Sequence, residues 1–132
     1  MTINVNFIDN GRGVEILASG LVTGNEIISA HKEIYAADKL ENQRYHIIDK
    51  SQCTEYDVTA SDIETMSQLD RGAAQVNDNI IIAIIESRFL KFSLSELWQA
   101  HVEAFIKHSK SFSNRTDAEQ WISETLEENK SR

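Results

Sequence analysis

The segment Ile80-Ile81-Ile82-Ala83-Ile84-Ile85 decides the fold class of this chain, because all six of its residues are apolar. A strand with one solvated face alternates apolar and polar residues, and this segment shows no alternation. A strand that other elements cover on both faces is typically a continuous apolar run. The segment therefore predicts a strand that is buried on both sides within an α/β domain.

Further strand patterns flank this run. Two alternating segments near the N-terminus are separated by a turn at residues 10–13, which predicts a β-hairpin. The last pattern, near residue 110, predicts an edge strand. In chain order, the predicted strands besides Ile80 to Ile85 are Ile3 to Asp9, Val14 to Ala18, Tyr45 to Asp49 and Lys110 to Ser113.

Helix starts are predicted from capping boxes, in which a Ser or Thr is followed three residues later by Glu or Gln. Four such pairs precede runs with helical spacing: Thr23 and Glu26, Ser61 and Glu64, Ser93 and Glu96, Thr116 and Glu119. Each predicted helix has one apolar side and should therefore pack on another element. On the second helix this side is predicted to hold Ile63, Met66, Leu69, Ala73 and Val76.

The order of elements is β-β-α-β-α-β-α-(β)-α. Strand–helix–strand connections of this length favour parallel pairing with right-handed crossovers. We therefore expect an α/β fold with one mixed sheet of four to five strands and about four helices. The chain should form a single domain over residues 1–132, with residues 127–132 as a frayed polar tail.

The charge balance and the apolar pattern exclude two classes of protein. Thirteen basic and twenty-one acidic residues give a net charge of −8 (13 − 21), and no Lys/Arg cluster is present. A negative field repels phosphate backbones, so nucleic-acid binding is not expected. No apolar run approaches the roughly 20 residues that cross a bilayer, so an integral membrane protein is not expected either.

The N-terminus and the cysteine content predict the compartment. Residues Met1 to Asn4 show neither the basic stretch nor the apolar block of a secretory signal. Cys53 is the only cysteine and cannot form an internal disulfide, which is typical of a reducing compartment. The sequence therefore predicts a cytoplasmic protein.

Three short segments carry a resemblance to a known family. Tyr45-His46-Ile47-Ile48-Asp49-Lys50-Ser51 is similar to an apolar strand ending in Asp-Leu-Ser, and Asp57-Val58-Thr59-Ala60-Ser61 stands where that family has Asp-Ser-Ser-Gly. Ala118-Glu119-Gln120-Trp121-Ile122 is similar to an Ala-x-x-Trp-Leu pattern in its closing helix. From about Val14 to Leu126 the chain thus resembles STAS domains, most of all the divergent bacterial SpoIIAA-like branch, which shares folding features with Sec14 lipid-carrier domains.

This resemblance implies a regulatory module that acts by protein–protein interaction. In anti-sigma-factor antagonists a partner kinase phosphorylates the second serine of Asp-Ser-Ser-Gly, and that position corresponds to Thr59 here. Val58 and Ala60 replace the first serine and the glycine, so the resemblance implies a module without an intact phosphosite motif. Thr59 and Ser61 are therefore candidates for a phospho-acceptor or for a helix cap, the usual role of a hydroxyl at a helix start.

Polar side chains follow the third and fourth predicted strands. Loops diverge at the carboxyl ends of parallel strands and leave a crevice in which ligands bind. The candidates for the rim of a ligand or partner site are Asp49, Ser51, Asp57 and Arg88, and a solvated polar loop is the alternative. Cys53 lies in the same stretch, but no neighbouring base that would activate its thiol is evident.

An apolar and aromatic stretch around the third predicted helix marks a candidate pocket. Phe89, Phe92 and Trp98 supply more apolar surface than one helix face requires. His31 and His101 each lie in an apolar helix stripe and are candidates to line the same pocket. The alternatives are ordinary core packing and a patch for self-association into a homodimer.

No catalytic residue, metal site or cofactor is predicted. No set of nucleophile, base and orienting group can be assembled from the sequence, and no ligand spacing is typical of a metal site. The first hypothesis is therefore a non-enzymatic regulatory or interaction module of STAS type, with a regulatory protein as its partner. The alternative is a carrier or sensor of a small, lipid-like apolar ligand in a pocket near the third helix.

Overall fold

The computed structural model describes residues 2–88, 94–106 and 108–130, without the side chains of residues 37 and 94–97. The strands are β1 (Ile3–Ile8), β2 (Gly13–Thr23), β3 (Tyr45–Asp57), β4 (Ile81–Ile85) and β5 (Ser109–Phe112). The helices are α1 (Gly24–Ile34), α2 (Ala37–Leu40), α3 (Ala60–Val76), α4 (Leu94–Val102) and α5 (Arg115–Lys130). The order agrees with the predicted one, apart from the additional short α2.

A five-stranded sheet organises the fold, with its strands in the order β1-β2-β3-β4-β5. β1 and β2 are antiparallel, whereas all other neighbouring strands are parallel. Asp9, Asn10 and Gly11 all have positive φ angles, and this left-handed turn reverses the chain between β1 and β2. The predicted α/β fold with a mixed sheet is therefore confirmed.

Helices cover both faces of the sheet. The apolar cluster on one face includes residues of α1, α3 and α4, and we call this the three-helix face. The cluster on the opposite face includes residues of α5, and we call this the α5 face. All five residues of β4 are buried, as its apolar sequence predicted for a strand covered on both sides. No helix in the described ranges is long and apolar enough to cross a bilayer.

β3 is longer than predicted and ends at Asp57 instead of Asp49. Its second half pairs with residues 19–23 of β2, after shifts of register at two places. Such bulges interrupt the two-residue period of a strand, so the sequence pattern did not reveal the extension. Asp49, the last residue of the predicted strand, lies within β3, and the expectation that Ser51 follows the strand is wrong, because β3 continues through it.

The helices α1, α3 and α5 begin with capping residues, as predicted, but two of these residues differ from the predicted ones. The capping box of Thr23 and Glu26 begins α1 as predicted. α3 is capped by Thr59, whose hydroxyl accepts a hydrogen bond from the Asp62 amide at 3.1 Å, so the predicted box starting at Ser61 is wrong. The box starting at Thr116 is also wrong, because Asn114 accepts the corresponding bond from the Asp117 amide at 2.8 Å.

The reason is the same at both corrected helix starts. An aspartate at the third helical position can return the bond to the cap residue, as a glutamate does in the usual pattern. The search for Glu or Gln alone therefore selected pairs two residues too late. The remaining predicted box, Ser93 and Glu96, lies outside the described residues and side chains.

The ends of two helices also differ from expectation. α5 continues to Lys130 through most of the segment expected as a frayed tail. Val76 was assigned to the apolar side of α3 but is 59% exposed, because it is the last residue of that helix. A buried position in the middle of the same helix is instead held by Asp70.

Candidate functional site

A cavity lies between the three-helix face of the sheet and the helices α1, α3 and α4. The centres of water-sized molecules can occupy a volume of about 60 Å³ in it. This volume has room for several groups of that size. Its wall is mostly apolar, and no single element supplies it. The apolar residues of the wall are Ile3, Ile16, Ala18, Ile48 and Ile84 from the sheet, and Ile27, Ala30, Ile63 and Met66 from the helices.

Lys50 places a charged group in this apolar wall. Its side chain is 4% exposed, and its Nζ lies 3.4 Å from Oε1 of Glu86, directly after β4. Burial lowers the pKa of the Lys50 amine, whereas Glu86 opposes this shift by stabilising the ammonium form. The amine also lies 5.0 Å from the ring centroid of Tyr56, which lines the same cavity.

Asp70 is the centre of a buried polar network behind the cavity. Its carboxylate accepts hydrogen bonds from the Tyr35 hydroxyl at 2.5 Å and from the Trp98 indole N–H at 2.6 Å. Nε2 of His31 lies 3.7 Å from the same carboxylate. Because Tyr35 follows α1, Asp70 belongs to α3 and Trp98 to α4, the network ties these helices together.

Two histidines on the three-helix face are held in defined orientations. Nδ1 of His31 lies 3.0 Å from the Ile27 carbonyl oxygen, which requires the hydrogen on Nδ1. His46 is buried, and its Nε2 lies 2.8 Å from Oε1 of Gln43. Burial, helped by the charge of nearby His31, lowers the pKa of His46 to about 3, so this imidazole is neutral near pH 7.

The candidate pocket residues from the sequence fall into three groups. His31 and Trp98 both line the cavity. His101 is exposed, so the expectation that it lines the pocket is wrong; the buried side of α4 runs through Trp98 and Val102, four residues apart. Phe89 and Phe92 lie outside the described residues.

The candidate rim residues do not surround the cavity. Asp49 points to the α5 face, where its Oδ2 lies 3.6 Å from Nη1 of Arg115 and its Oδ1 accepts the Ser51 amide at 3.0 Å. Asp57 is exposed at the end of β3, and Arg88 is exposed beyond β4. Along β3 it is Lys50, between Asp49 and Ser51, that reaches the cavity.

The two hydroxyl candidates and the cysteine are also placed by the structure. Thr59 is exposed, but its hydroxyl is engaged in the cap of α3, and Ser61 is exposed in the first turn. Cys53 is fully buried, and burial raises the pKa of its thiol, which disfavours the reactive thiolate. Among the described residues, no group of three or more His, Cys, Asp or Glu side chains is arranged to hold a metal ion.

Sequence reasoning missed the two buried charges that matter most at this site. Lys50 stands two residues after Ile48 and four after His46, so the strand period alone places it on the three-helix face. Asp70 stands four residues after Met66 and three before Ala73, which is the apolar side of α3. A charged residue on the apolar side of an element was the signal in both cases.

No protein-family model matches this chain, and no curated protein shows significant similarity to it. Its structure is similar to the crystal structure of an uncharacterised protein from the DUF3478 family with a SpoIIAA-like fold, from Shewanella loihica PV-4. The TM-score is 0.54 and the identity 18%, and the alignment covers 91% of each chain. At this identity the likeness concerns the fold, so the chain has a SpoIIAA-like fold, as its resemblance to STAS domains predicted.

Proposed function

We propose that this chain is a non-enzymatic binding module, a carrier or sensor, that holds a small and largely apolar ligand between the sheet and the helices α1, α3 and α4. The observation that carries this proposal is the cavity itself. The cavity is partly open to solvent, and buried apolar side chains form most of its wall, so a small apolar group can enter it and be covered on several sides. A mostly apolar concavity with a few polar groups is typical of small-ligand sites.

The energetics of the cavity support a ligand over bound water. Water in a cavity needs several hydrogen-bonding partners, and the apolar side chains that form most of this wall offer none. An apolar ligand makes dispersion contacts with these side chains. Such contacts support binding without covalent chemistry.

The polar groups at the cavity support binding over catalysis. The Trp98 indole donates to Asp70, and His31 engages the Ile27 carbonyl oxygen through Nδ1. These bonds fix both rings as parts of the wall. The Lys50 amine is the potential nucleophile in the described part of the wall, and its pairing with Glu86 at 3.4 Å favours the unreactive ammonium form, so we infer a site that holds its ligand unchanged.

The proposal is tested with a neutral amphiphile, 1-hexanol, in an NMR titration of the labelled protein. We expect shift changes that concentrate at cavity residues of β2, β3 and α3. The variant Ala18→Leu fills the cavity and should abolish these changes, whereas Ser19→Leu introduces the same side chain at the next residue, which is exposed, and should leave them intact. Equal binding to both variants, or no saturable binding to the wild type, would refute the proposal.

The second candidate function is a regulatory module of STAS type that docks a partner protein. Asp57 and Thr59 support it, because both are exposed where β3 ends and α3 begins. Phosphorylation of Thr59 is a separate proposal, and the structure adds a cost to it. The phosphate would replace the cap to the Asp62 amide and would stand beside the Asp62 carboxylate, which repels it.

Phosphorylation of Thr59 and self-association of the chain are each tested by a separate measurement. Intact mass of the protein isolated from its own cells would reveal phosphorylation as a species heavier by about 80 Da. That species should disappear in Thr59→Ala and persist in Thr59→Ser, and an unmodified mass under all growth conditions argues against it. Self-association into a homodimer stays a prediction that sedimentation equilibrium tests.

A further inference from the structure

Two hydrogen-bond donors of β3 stand together in the apolar cavity. Lys50 and Tyr56 both line it, with the ammonium 5.0 Å from the ring centroid of Tyr56. They reach the same face of the sheet because they lie an even number of positions apart, and the two shifts of register between β2 and β3 cancel in the alternation. The cavity therefore has a polar part formed by one strand and an apolar part formed by the sheet and helices around it.

The Tyr56 hydroxyl is a second donor at the cavity wall. Burial raises the pKa of this phenol further above its ordinary value, so it keeps its proton throughout the physiological range. Among the described residues this hydroxyl makes no hydrogen bond, and it is not fully buried, because every fully buried polar side-chain atom there has a partner. A phenol that is only partly buried can donate to an acceptor atom on a ligand in the cavity.

The charges around this pair favour a single negative charge on the ligand. The side chain of Glu86 is 27% exposed, so water screens its carboxylate, whereas Lys50 at 4% exposure acts in a poorly polarisable surrounding. On the helix side of the cavity, the charge of Asp70 is stabilised by the donors Tyr35 and Trp98. The Lys50 ammonium stays paired with Glu86 and can also meet one ligand carboxylate, but a doubly charged phosphate would exceed what it offers.

We propose that the ligand is a small monocarboxylate with an apolar body, such as a short fatty acid or an aromatic acid. One carboxylate oxygen accepts from the Lys50 ammonium and the other from the Tyr56 hydroxyl, and the apolar body lies among Ile48, Ile63 and Met66. This inference rests on the proposed function and adds the chemical class of the ligand. The cavity volume of about 60 Å³ restricts the body to a short chain or one ring.

The test compares hexanoate, 1-hexanol and hexylamine by calorimetric or NMR titration at pH 7. We expect hexanoate to bind about tenfold more tightly than 1-hexanol, because hydrogen bonds to a charged acceptor are the stronger ones. Hexylamine should bind worst, since its ammonium meets Lys50. The variant Lys50→Met keeps an unbranched chain of similar length and should remove the preference for hexanoate while 1-hexanol still binds.

Two further variants keep the test decisive. Lys39→Met is the matched control, because Lys39 also lies over an aromatic ring, that of Phe7 at 4.0 Å, but does not line the cavity. It should bind hexanoate as the wild type does. Tyr56→Phe removes one oxygen atom and should weaken the binding of hexanoate several-fold, with little effect on the binding of 1-hexanol. This variant also tests the proposal if Lys50→Met does not fold.

The outcomes separate this inference from the proposed function. The proposed carboxylate ligand is wrong if 1-hexanol binds in the cavity and hexanoate binds no more tightly, or if Lys50→Met still prefers hexanoate. In either case the proposed apolar site stands. If neither compound binds, both proposals fail. A preference for hexanoate that Lys50→Met and Tyr56→Phe each reduce, and Lys39→Met does not, supports both.

Discussion

The three-helix face and the α5 face share the strands β3 and β4 but differ in what they bury. The cluster on the α5 face consists of Ile47, Ile81, Ala83, Ile85, Ala118 and Ile122. The buried charged or titratable side chains Lys50, Asp70 and His46 all belong to the other face. Buried charges add little or nothing to stability when compared with apolar groups of the same size. The α5 face shows that this sheet can be covered without them, so their concentration on one side supports the proposed binding function.

The largest predicted effect is the removal of the Asp70 carboxylate. Asp70→Ala leaves the Tyr35 hydroxyl and the Trp98 indole N–H without their acceptor, and we expect the free energy of unfolding to fall by about 3–5 kcal/mol. On the α5 face Ile85→Val removes one methylene and should cost only about 0.5–1.5 kcal/mol. Urea denaturation measures both, and a loss below about 1 kcal/mol in Asp70→Ala would remove the contrast between the faces.

The second prediction concerns pH and applies to the three-helix face alone. His46 has a folded pKa of about 3, below the ordinary 6.5, so the folded state resists protonation that the unfolded state accepts. Its contribution to stability is complete above pH 6.5 and is lost as the pH falls toward 3, with about 2 kcal/mol lost between pH 7.5 and 5. His46→Gln keeps a donor for Gln43 but does not titrate. The stability of this variant should decline less over the same range, by about that amount, and equal pH profiles would contradict the assignment.

The third prediction tests packing with the same substitution on each face. Ala83→Val adds two carbon atoms where β4 lies under α5, and overpacking of such a site costs about 1–3 kcal/mol. Ala18→Val adds the same atoms at the cavity wall, where there is room, and should cost less than about 1 kcal/mol. Thermal unfolding of the two variants measures the difference. Equal losses would show that the cavity does not accommodate added atoms.

The smallest effect is predicted at the helix starts, where the two faces should not differ. Thr59→Ala removes the cap of α3 and Asn114→Ala that of α5, and each should cost about 1 kcal/mol. Ser61→Ala and Thr116→Ala are matched controls within the same helices, and they should cost close to nothing. A large loss at Thr59 alone would mean that this residue does more than cap its helix.

The sequence was sufficient wherever a short segment determines its own structure. The apolar run of β4 identified a strand buried on both faces, and the left-handed turn after β1 follows from Asn10 and Gly11. Cap residues were located to within two positions, because their bonds span only three residues. The extension of β3 to Asp57 was missed, since its bulges are imposed by pairing with β2.

The site was less predictable because its contacts join distant segments. Asp70 meets partners that are 35 and 28 residues away, and one sequence does not show which residues will meet. His31 and Trp98 were singled out for their apolar surroundings, yet His101 was selected by the same argument and is exposed. Local periodicity gives the side of a helix, whereas the composition of a cavity depends on how several elements pack.

The strands stand in the sheet in the same order as in the chain, from β1 to β5. On the ribosome the amino-terminal segments emerge first. Each newly made strand therefore meets a neighbour that has already been synthesised, and no strand has to wait for a partner encoded later. The nascent sheet can grow outward from the β1–β2 hairpin, and each strand covers the open edge left by the one before it. The α5 face is completed last, when α5, the last of the described helices in the chain order, leaves the exit tunnel.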